Sequence, residues 1–316
     1  MTINHQTNSV QHILELARNH GIEVEPSTAM SNESGLDFFA VFANGKEGAR
    51  WVLRSPRRED VIESAAYERN VLRLAAGRLP VSVPSWEVHT QELIAYRMLE
   101  GTPMATINME TKSYDWHMDP QAIPEAFIQS LAEALAALHG IRSDEALRDG
   151  VRVKEPAEVR AAMAEQMNDI RHAFGVSRVL WDRWQQWLAD ETYWPPYTGL
   201  VHGDLHPGHI LVNAEGKVTG LLDWTEGEVA DPAADFTNYY ALFGNEGLAD
   251  LLVRYEKAGG RVWPRMHEHI VERLAAYPVL IGLFALKSGL EEYKVMARHA
   301  LGVNEQGEEL PAPAEA

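Results

Sequence analysis

The sequence predicts an α+β protein in which a small sheet-rich lobe is followed by a large helical lobe. Before Gly101, short apolar segments alternate with turn residues. Residues 38–42 and 50–54 flank an Asn44-Gly45 turn, which is the pattern of a β-hairpin. After Gly101, apolar residues recur at helical spacing over long segments. This change of period at one point in the chain indicates two lobes.

The positions of glycine, proline and apolar residues place the individual elements. In the first lobe we expect helices over 9–20 and 58–76 and further strands at 86–89 and 93–98. In the second lobe a hairpin at 200–224 interrupts a series of helices, which we expect at 123–139, 155–173, 178–190, 233–243, 246–258 and 263–300. Pro278 should kink or divide the last helix.

These elements predict where the lobes begin and end. We expect an N-terminal lobe over 1–99, a hinge at about 96–101 and a helical lobe over 100–301. The polar, proline-rich segment 302–316 is predicted to be a disordered tail.

Composition and charge exclude several classes of protein. The chain of 316 residues has a formal net charge of −18, whereas nucleic-acid binding requires a positive surface, so no nucleic-acid partner is expected. The absence of cysteine rules out disulfides, thiolate zinc sites and cysteine nucleophiles. The N-terminal residues lack a secretory pattern and the longest apolar run is too short for a bilayer. We therefore expect a cytoplasmic protein with no membrane partner, and a monomer by default.

The segment HGDLHPGH at 202–209 carries the most informative residues. It forms a tight polar turn, and the next hairpin strand ends at Asp223, so Asp204 and Asp223 are expected near the same end of the hairpin. Phosphoryl transfer requires positioning, Mg²⁺ and a carboxylate that accepts the proton of the incoming hydroxyl. Asp204 can act as that base, with His209 and Asp223 as metal ligands. The order resembles that of protein kinases.

A residue pair in the first lobe supports the same chemistry. On the helix over 58–76, Glu68 interrupts an apolar stripe, and a carboxylate facing a core is costly unless it is paired. Arg54, on the preceding strand, is the natural partner. Kinases hold nucleotide phosphates with such a pair, although a purely structural ion pair would explain these two residues equally well.

Several motifs together resemble one family. HGDLHPG (202–208), LLDW (221–224) and ADPAADF (230–236) resemble the aminoglycoside-phosphotransferase group of kinase-like enzymes. A closer resemblance, to the macrolide 2′-phosphotransferases, rests on NESGLDF (32–38), WVLRSPRR (51–58), HGDLHPGH (202–209), LDWTE (222–226), YEKAGGRVWP (255–264) and EEY (291–293). It spans roughly residues 10–300.

The resemblance implies a bilobal protein-kinase-like fold, Mg²⁺, and GTP as the phosphate donor, with ATP as the alternative. It implies a resistance enzyme that phosphorylates the desosamine 2′-hydroxyl of macrolide antibiotics. By the family's pattern, Asp204 is the catalytic base, and His209 and Asp223 contact the metal. His209 stands where the broader group has asparagine, whose oxygen suits Mg²⁺ better than imidazole nitrogen. Arg54 stands where most relatives have lysine, and a guanidinium can bind two phosphate oxygens whereas an ammonium is a compact point charge.

The resemblance also implies how the nucleotide is held. Ser34 and Gly35 would lie in a loop over the phosphates. The segment 96–99, which includes Met98 and Leu99, would form the hinge whose backbone recognises the nucleobase.

Neighbouring polar residues are assigned structural roles. His206 belongs to the turn, and His202 should fix the loop through a backbone hydrogen bond. Asp231 is expected to be an N-cap ahead of Pro232, and Asp235 to brace the catalytic loop.

Two sets of apolar residues are candidates for a macrolide-binding surface. Trp181, Trp184 and Leu188 share one helical face and are assigned to core packing. A macrolide is large and mainly apolar, and the candidates to line its groove, by composition alone, are Met104, Leu283 and Phe284.

Three alternatives remain open. A kinase of the same fold could act on another hydroxyl, such as that of an aminoglycoside, homoserine or choline. A metal-dependent hydrolase would gather zinc ligands from His202, Asp204, His206, His209 and Asp223. Against it, the Pro207-Gly208 turn is expected to make the histidines diverge. A pseudokinase scaffold is the third alternative, and the intact aspartates argue against it.

Overall fold

The computed structural model describes residues 9–32, 35, 37–108, 111 and 113–310. Its N-terminal part consists of α1 (Val10–Asn19), β1 (Met30–Asn32), β2 (Phe38–Asn44), β3 (Arg50–Pro56), α2 (Glu59–Ala75), β4 (Trp86–His89) and β5 (Ile94–Arg97). The five strands form one antiparallel sheet in the order β1-β2-β3-β5-β4. The two predicted helices and the four predicted strands are present, and β1 is additional.

Strand alternation decides which way Arg54 points. Successive side chains of a strand face opposite sides of the sheet. Leu53 packs with Ile13 of α1 on one side, and Val52 packs with Ala65 of α2 on the other. Arg54 shares the side of Val52, so it faces α2.

The C-terminal part is mainly helical and contains three short sheets. Its strands are β6 (Thr102–Pro103), β7 (Ala105–Ile107), β8 (Tyr114–Trp116), β9 (Gly199–Val201), β10 (Ile210–Val212), β11 (Val218–Leu221) and β12 (Glu228–Ala230). Its helices are α3 (Glu125–His139), α4 (Ser143–Arg148), α5 (Pro156–Phe174), α6 (Arg178–Ala189), α7 (Thr237–Lys257), α8 (Met266–Ala275), α9 (Tyr277–Ser288) and α10 (Glu291–Leu301). The α+β class, sheet-rich first and helical second, is confirmed.

Two apolar clusters fill the helical part. The larger one surrounds Trp224 and Phe236, so it supports the segments that follow β11 and β12. The second contains Trp184 and Trp187 of α6, both buried, and is shared with α5, α9 and α10. Trp181 packs at its edge. These tryptophans therefore belong to the core, as the helical spacing predicts.

Two helix breaks follow the prediction and one is additional. The segment α7 is interrupted at Gly244, whose non-helical φ of +63° suits only glycine well, so the break predicted between residues 243 and 246 is present. The predicted helix 263–300 is divided into three. The first break, at Ala276, immediately precedes the Tyr277-Pro278 start of α9, and the second falls at Gly289.

The chain after α10 folds back on the helical part. Val303 is buried and pairs with Glu309, whose carboxylate accepts the backbone N–H of Arg178 at 3.1 Å. The predicted disordered tail starts at residue 302. Residues 302–310 are instead ordered, because the Val303 side chain is buried and the Glu309 carboxylate binds the first residue of α6. Residues 311–316 lie outside the described part.

No single helix in the described part of the chain combines the length and the apolar character needed to cross a bilayer. Only α8 and α9 taken together reach that threshold, and they are bent by 43° at their junction.

A buried ion pair ties the segment after β12 to α8. Asp231 accepts hydrogen bonds from the backbone N–H of Ala233 at 3.0 Å, from His269 Nε2 at 2.7 Å and from Arg273 Nη1 at 2.7 Å. The predicted N-cap is confirmed, and the ion pair is additional. Burial alone raises the pKa of the Asp231 carboxyl, but the charges of His269 and Arg273 outweigh it and hold the pKa well below its ordinary value.

We predict that Asp231→Asn lowers the free energy of unfolding by about 3–5 kcal/mol at pH 7, because Arg273 loses its buried partner. The folded-state pKa of Asp231 lies below the unfolded value of about 3.9, so the ion pair stabilises fully above that pH and is lost as the pH falls further. Urea denaturation from pH 7 down to roughly pH 2 should therefore show that the difference in free energy of unfolding between variant and wild type narrows below about pH 4. Asp144→Asn, at the exposed pair with Arg142, is the control and should change nothing measurable. A difference independent of pH would contradict this account.

Candidate active site

The loop that carries Asp204 is anchored by one buried carboxylate. Asp235 accepts the backbone N–H of His202 at 2.8 Å and that of Gly203 at 2.9 Å. Gly203 has a φ of +83°, and a Cβ at this position would lie 2.6 Å from the carbonyl oxygen of Glu226. The turn therefore requires glycine. These contacts confirm that Asp235 braces the loop.

Asp235 is held in turn by the helical core. His139, at the end of α3, contacts Asp235 through Nε2 at 3.1 Å and the hydroxyl of Tyr255 through Nδ1 at 2.9 Å. Burial alone raises the pKa of Asp235, but the hydrogen bond and charge of His139 and the N–H of His202 keep it below its ordinary value. Polar contacts inside the core thus fix the loop to α3 and α7.

His202 connects the two halves of the site. Its ring is buried, and Nε2–H donates to the carbonyl oxygen of Leu222 at 2.8 Å, while Nδ1 accepts the backbone N–H of Asp204 at 3.4 Å. Because Leu222 directly precedes Asp223, the ring couples the positions of both aspartates. The predicted role of His202 in fixing the loop is confirmed.

His209 lies between the two aspartates. Its Nδ1–H donates to the carbonyl oxygen of Asp204 at 2.9 Å and lies 3.7 Å from the Asp204 carboxylate. Its Nε2 lies 3.8 Å from the Asp223 carboxylate. The structure therefore brings the three predicted residues together. The side chains of Asp204 and Asp223 are 51% and 48% exposed, so both are open to solvent.

The donor atoms around Asp223 fit a hard cation. With its proton on Nδ1, neutral His209 has its lone pair on Nε2, facing Asp223. Carboxylate oxygen suits Mg²⁺, which keeps several of its waters, so His209 can contribute directly or through water. The protein packed around Asp223 alone raises its pKa, although half of the side chain is exposed, but the charge of a protonated His209, the charge of Arg54 and the hydroxyl of Thr225, at 2.9 Å, lower the pKa below its ordinary value. The carboxylate is thus kept ionised.

The predicted pair Arg54 and Glu68 lies next to this group. Arg54 Nη1 is 3.5 Å from Glu68 Oε1, the two side chains are 12% and 1% exposed, and the guanidinium stacks on Phe38 at 3.9 Å. Burial raises the pKa of Glu68, opposed by the charge of Arg54. The charge of Asp223 acts on both residues, so the pair faces the candidate cation site.

The other residues predicted to contact the nucleotide do not form one cluster with Arg54 and Glu68. Ser34 lies outside the described residues, and Gly35 is exposed ahead of β2. The backbone N–H of Met98 donates to Arg50 at 2.7 Å, so the sheet uses this donor and only the carbonyl of Met98 could meet a nucleobase. Leu99 packs on Gly220 of β11 and joins the segment after β5 to the hairpin of β10 and β11.

The two histidines of the loop converge, so the predicted divergence is wrong. Pro207–His209 is a 3-10 turn, and His209 N–H donates to the carbonyl of His206 at 2.9 Å. With three residues per turn, side chains three apart lie on the same side, and the ring centroids are 3.9 Å apart. His206 Nδ1 accepts the N–H of Gly208 at 3.1 Å, as its structural role predicts. Burial, and then the charge of His209, lower the pKa of His206 to about 4.

Two tyrosines that the sequence did not indicate flank Asp204. Tyr114 stacks toward His206 with a centroid distance of 6.2 Å. Burial raises the pKa of Tyr114 to about 12, and the charges of Tyr277 and Asp204 add to this. Burial also raises the pKa of Tyr277, followed by the charge of Asp204, so both rings lie close to that carboxylate. For Tyr114, the sequence signal that could have indicated this position was the cluster of aromatic residues before α3.

Beyond these tyrosines, α9 presents an apolar surface to solvent. Leu280 and Phe284 are 46% and 38% exposed, and Phe284 packs edge to face on Tyr293 at 4.6 Å. Phe284 can therefore line a groove. Met104 is 1% exposed, so the prediction that it lines a drug site is wrong because it is part of the larger core cluster. Leu283 packs against the second cluster.

The phosphotransferase enzyme family matches residues 28–269. The chain belongs to this family. The phosphotransferase is 48% identical over 303 residues to the uncharacterized protein YcbJ of Bacillus subtilis (strain 168), across 96% of this chain and 99% of that protein. A macrolide 2′-phosphotransferase type I structure superposes with a TM-score of 0.86 at 40% identity, covering 96% of this chain and 100% of that one. Macrolide 2′-phosphotransferase MphH from Brachybacterium faecium also gives 0.86, at 37% identity over 94% and 98% of the two chains.

Membership makes this phosphotransferase a kinase that acts on a hydroxyl group, and it confirms the resemblance predicted from the motifs. More distant proteins share the kinase-like fold. The GDP complex of a wild-type aminoglycoside 2′-phosphotransferase superposes with a TM-score of 0.73 at 19% identity over 95% of this chain and 97% of that one. At that identity the likeness concerns the fold alone.

We predict that Asp235→Asn lowers turnover by about tenfold or more, because a hydrogen bond to a charged group contributes about 1.5–3 kcal/mol and 1.4 kcal/mol corresponds to tenfold in rate. The KM for nucleotide should change little, since Asp235 contacts only the loop backbone and His139. Steady-state kinetics on the phosphotransferase would measure both.

Asp231→Asn is the matched control, because Asp231 is equally buried but its bonds go to Ala233, His269 and Arg273. It should reduce stability while turnover per folded molecule is retained. Equal losses of turnover in the two variants would contradict a specific positioning role for Asp235.

Proposed function

We propose that this kinase transfers the γ-phosphate of GTP to the 2′-hydroxyl of the desosamine sugar of macrolide antibiotics, as a monomeric cytoplasmic resistance enzyme. The observation that carries the proposal is the position of His209 between Asp204 and Asp223, in a chain 40% identical to a macrolide 2′-phosphotransferase over nearly its whole length. Aminoglycoside kinases share only the fold at 19% identity, which favours the macrolide among the alternative acceptors.

Asp204 acts as the base in this reaction. Its carboxylate is half-exposed and its charge acts on Tyr114 and Tyr277, and it can accept the proton of the 2′-hydroxyl as the oxygen attacks the γ-phosphorus. Phosphoryl transfer requires little covalent chemistry from the protein. The main contribution of the loop is therefore to hold the Asp204 carboxylate in position. Asp235 and His202 provide that rigidity.

The nucleotide lies between Asp223 and the first lobe. Mg²⁺, held by Asp223 and His209, would neutralise charge on the β- and γ-phosphates. Arg54, oriented by Glu68, contacts the phosphates from the sheet, and its guanidinium can bind two oxygens at once. Ser34 and Gly35 cover the phosphates, while the Met98 carbonyl and Leu99 meet the nucleobase. GTP is the preferred donor by family resemblance, with ATP as the alternative.

The acceptor is held by the apolar surface beside Asp204. Tyr277, Leu280 and Phe284 lie on one face of α9, at spacings of three and four residues, and each is partly exposed. Such a surface suits a large, mainly apolar macrolide ring. The net charge of −18 favours approach of the cationic amine of desosamine.

The proposed activity predicts that GTP and Mg²⁺ convert erythromycin to a product heavier by one phosphoryl group, with phosphate on the desosamine 2′-oxygen. Mass spectrometry would detect the product, and NMR would locate the phosphate. Kanamycin, homoserine and choline serve as competing acceptors in the same assay. Faster phosphorylation of any of these than of macrolides would refute the proposed substrate.

The two aspartates should separate by their effects on binding and rate. Asp204→Asn should reduce turnover by about 10²–10⁴-fold, because the general base is lost, while nucleotide affinity is retained. Asp223→Asn should instead weaken Mg²⁺-dependent GTP binding. Calorimetric titration with GTP, with and without Mg²⁺, and single-turnover rates would measure these effects. Near-normal turnover in Asp204→Asn would show that another group is the base.

A further inference from the structure

A second group of ligating atoms occupies the catalytic loop without including Asp223. One ligating atom from each of Asp204, His206 and His209 lies within 4.8 Å of the other two. The 3-10 turn Pro207–His209 brings the imidazoles to a centroid distance of 3.9 Å. One carboxylate and two imidazoles thus converge on a short, rigid turn.

This donor set differs from the one that Mg²⁺ prefers. Mg²⁺ takes oxygen ligands and retains water, whereas imidazole nitrogen favours Zn²⁺ and the later first-row dications. Three protein ligands with a fourth position open to water is the arrangement of accessible zinc sites. Two imidazoles and one carboxylate therefore select a transition metal over the magnesium needed for phosphoryl transfer.

The hydrogen bonds of the loop set the tautomer of each ring. His209 donates Nδ1–H to the Asp204 carbonyl at 2.9 Å, which leaves its lone pair on Nε2, and ligating histidines commonly donate their other ring N–H in this way. The lone pair of neutral His206 is on Nδ1, where it accepts the Gly208 N–H at 3.1 Å, so a metal would displace a single contact. The Asp204 side chain is 51% exposed and has room to turn toward the ion.

We propose that Asp204, His206 and His209 form an inhibitory site for a transition-metal dication such as Zn²⁺. The bound ion coordinates the Asp204 carboxylate, which then cannot accept the proton of the substrate hydroxyl. It also withdraws His209 from the cation site at Asp223. The inhibition rests on the proposed role of Asp204, whereas the binding of the metal does not.

Calorimetric titration of the full chain with Zn²⁺ in excess Mg²⁺ tests the binding, and Co²⁺ absorption reports the ligand geometry. Wild type should bind one equivalent. His206→Asn retains an acceptor for the Gly208 N–H but lacks the imidazole, and should bind about tenfold or more weakly. His172→Asn makes the same exchange at an exposed position on α5 and should bind like wild type. Equal affinity of wild type and His206→Asn would overturn the site.

Asp223→Asn separates the new site from that of magnesium. Loss of Zn²⁺ binding in Asp223→Asn, with binding unchanged in His206→Asn, would place the ion at Asp223 and overturn the proposal. Circular dichroism checks folding, and His206→Gln replaces His206→Asn if the latter does not fold. These titrations use neither nucleotide nor macrolide, so failure of the proposed kinase activity would leave their result intact.

Phosphate transfer tests the inhibitory consequence. Zn²⁺ at the concentration that fills the site should suppress transfer in wild type and in His172→Asn. His206→Asn, normalised to its own rate without Zn²⁺, should require about tenfold or more Zn²⁺ for the same suppression. Unchanged transfer by zinc-loaded wild type would overturn the inhibitory role.

Discussion

Asp235 holds the backbone of His202 and Gly203 from inside the helical core, and the geometry of the site follows from this anchor. A buried carboxylate without partners would destabilise the fold, but here the two backbone donors and His139 satisfy it. With the loop fixed there, His202 reaches the residue before Asp223 and bridges the loop to the hairpin. The reacting groups are thus positioned by a residue that remains inside the protein.

The two lobes also meet beside Asp223. Tyr67, next to Glu68 on α2, donates its hydroxyl to the carbonyl of Gly227 at 2.6 Å and accepts the backbone N–H of Arg152 at 3.2 Å. α2 is therefore attached to the loop that follows Asp223. Because the Arg54–Glu68 pair depends on the orientation of α2, the Arg54 guanidinium of the first lobe and the Asp223 carboxylate of the second are aligned through one helix.

Local patterns in the sequence predict much of this arrangement, and long-range packing accounts for the rest. Asp204 and Asp223 flank one hairpin, whose register is set locally, so their proximity can be inferred from the chain alone. The proximity of His206 and His209 could not, because the sequence does not distinguish an extended turn from a 3-10 turn. Tyr277 was missed for another reason: its position within electrostatic range of Asp204 depends on how helices distant in sequence pack together. Most element positions follow from periodicity, and the interruption of α7 falls at Gly244, in the gap that the sequence pattern left between two helices.

The backbone of Asp223 limits what this position can become. Among the described residues it is the one non-glycine residue with a positive φ, +58°, a conformation that asparagine and aspartate tolerate and that disfavours longer or branched side chains by roughly 1–2 kcal/mol. Exchange of one oxygen for an amide nitrogen would preserve the fold and abolish the charge. Glutamate would keep the charge but strain the turn. The proposed cation binding at Asp223 would therefore be easily lost from an intact scaffold and difficult to rebuild with a different acid.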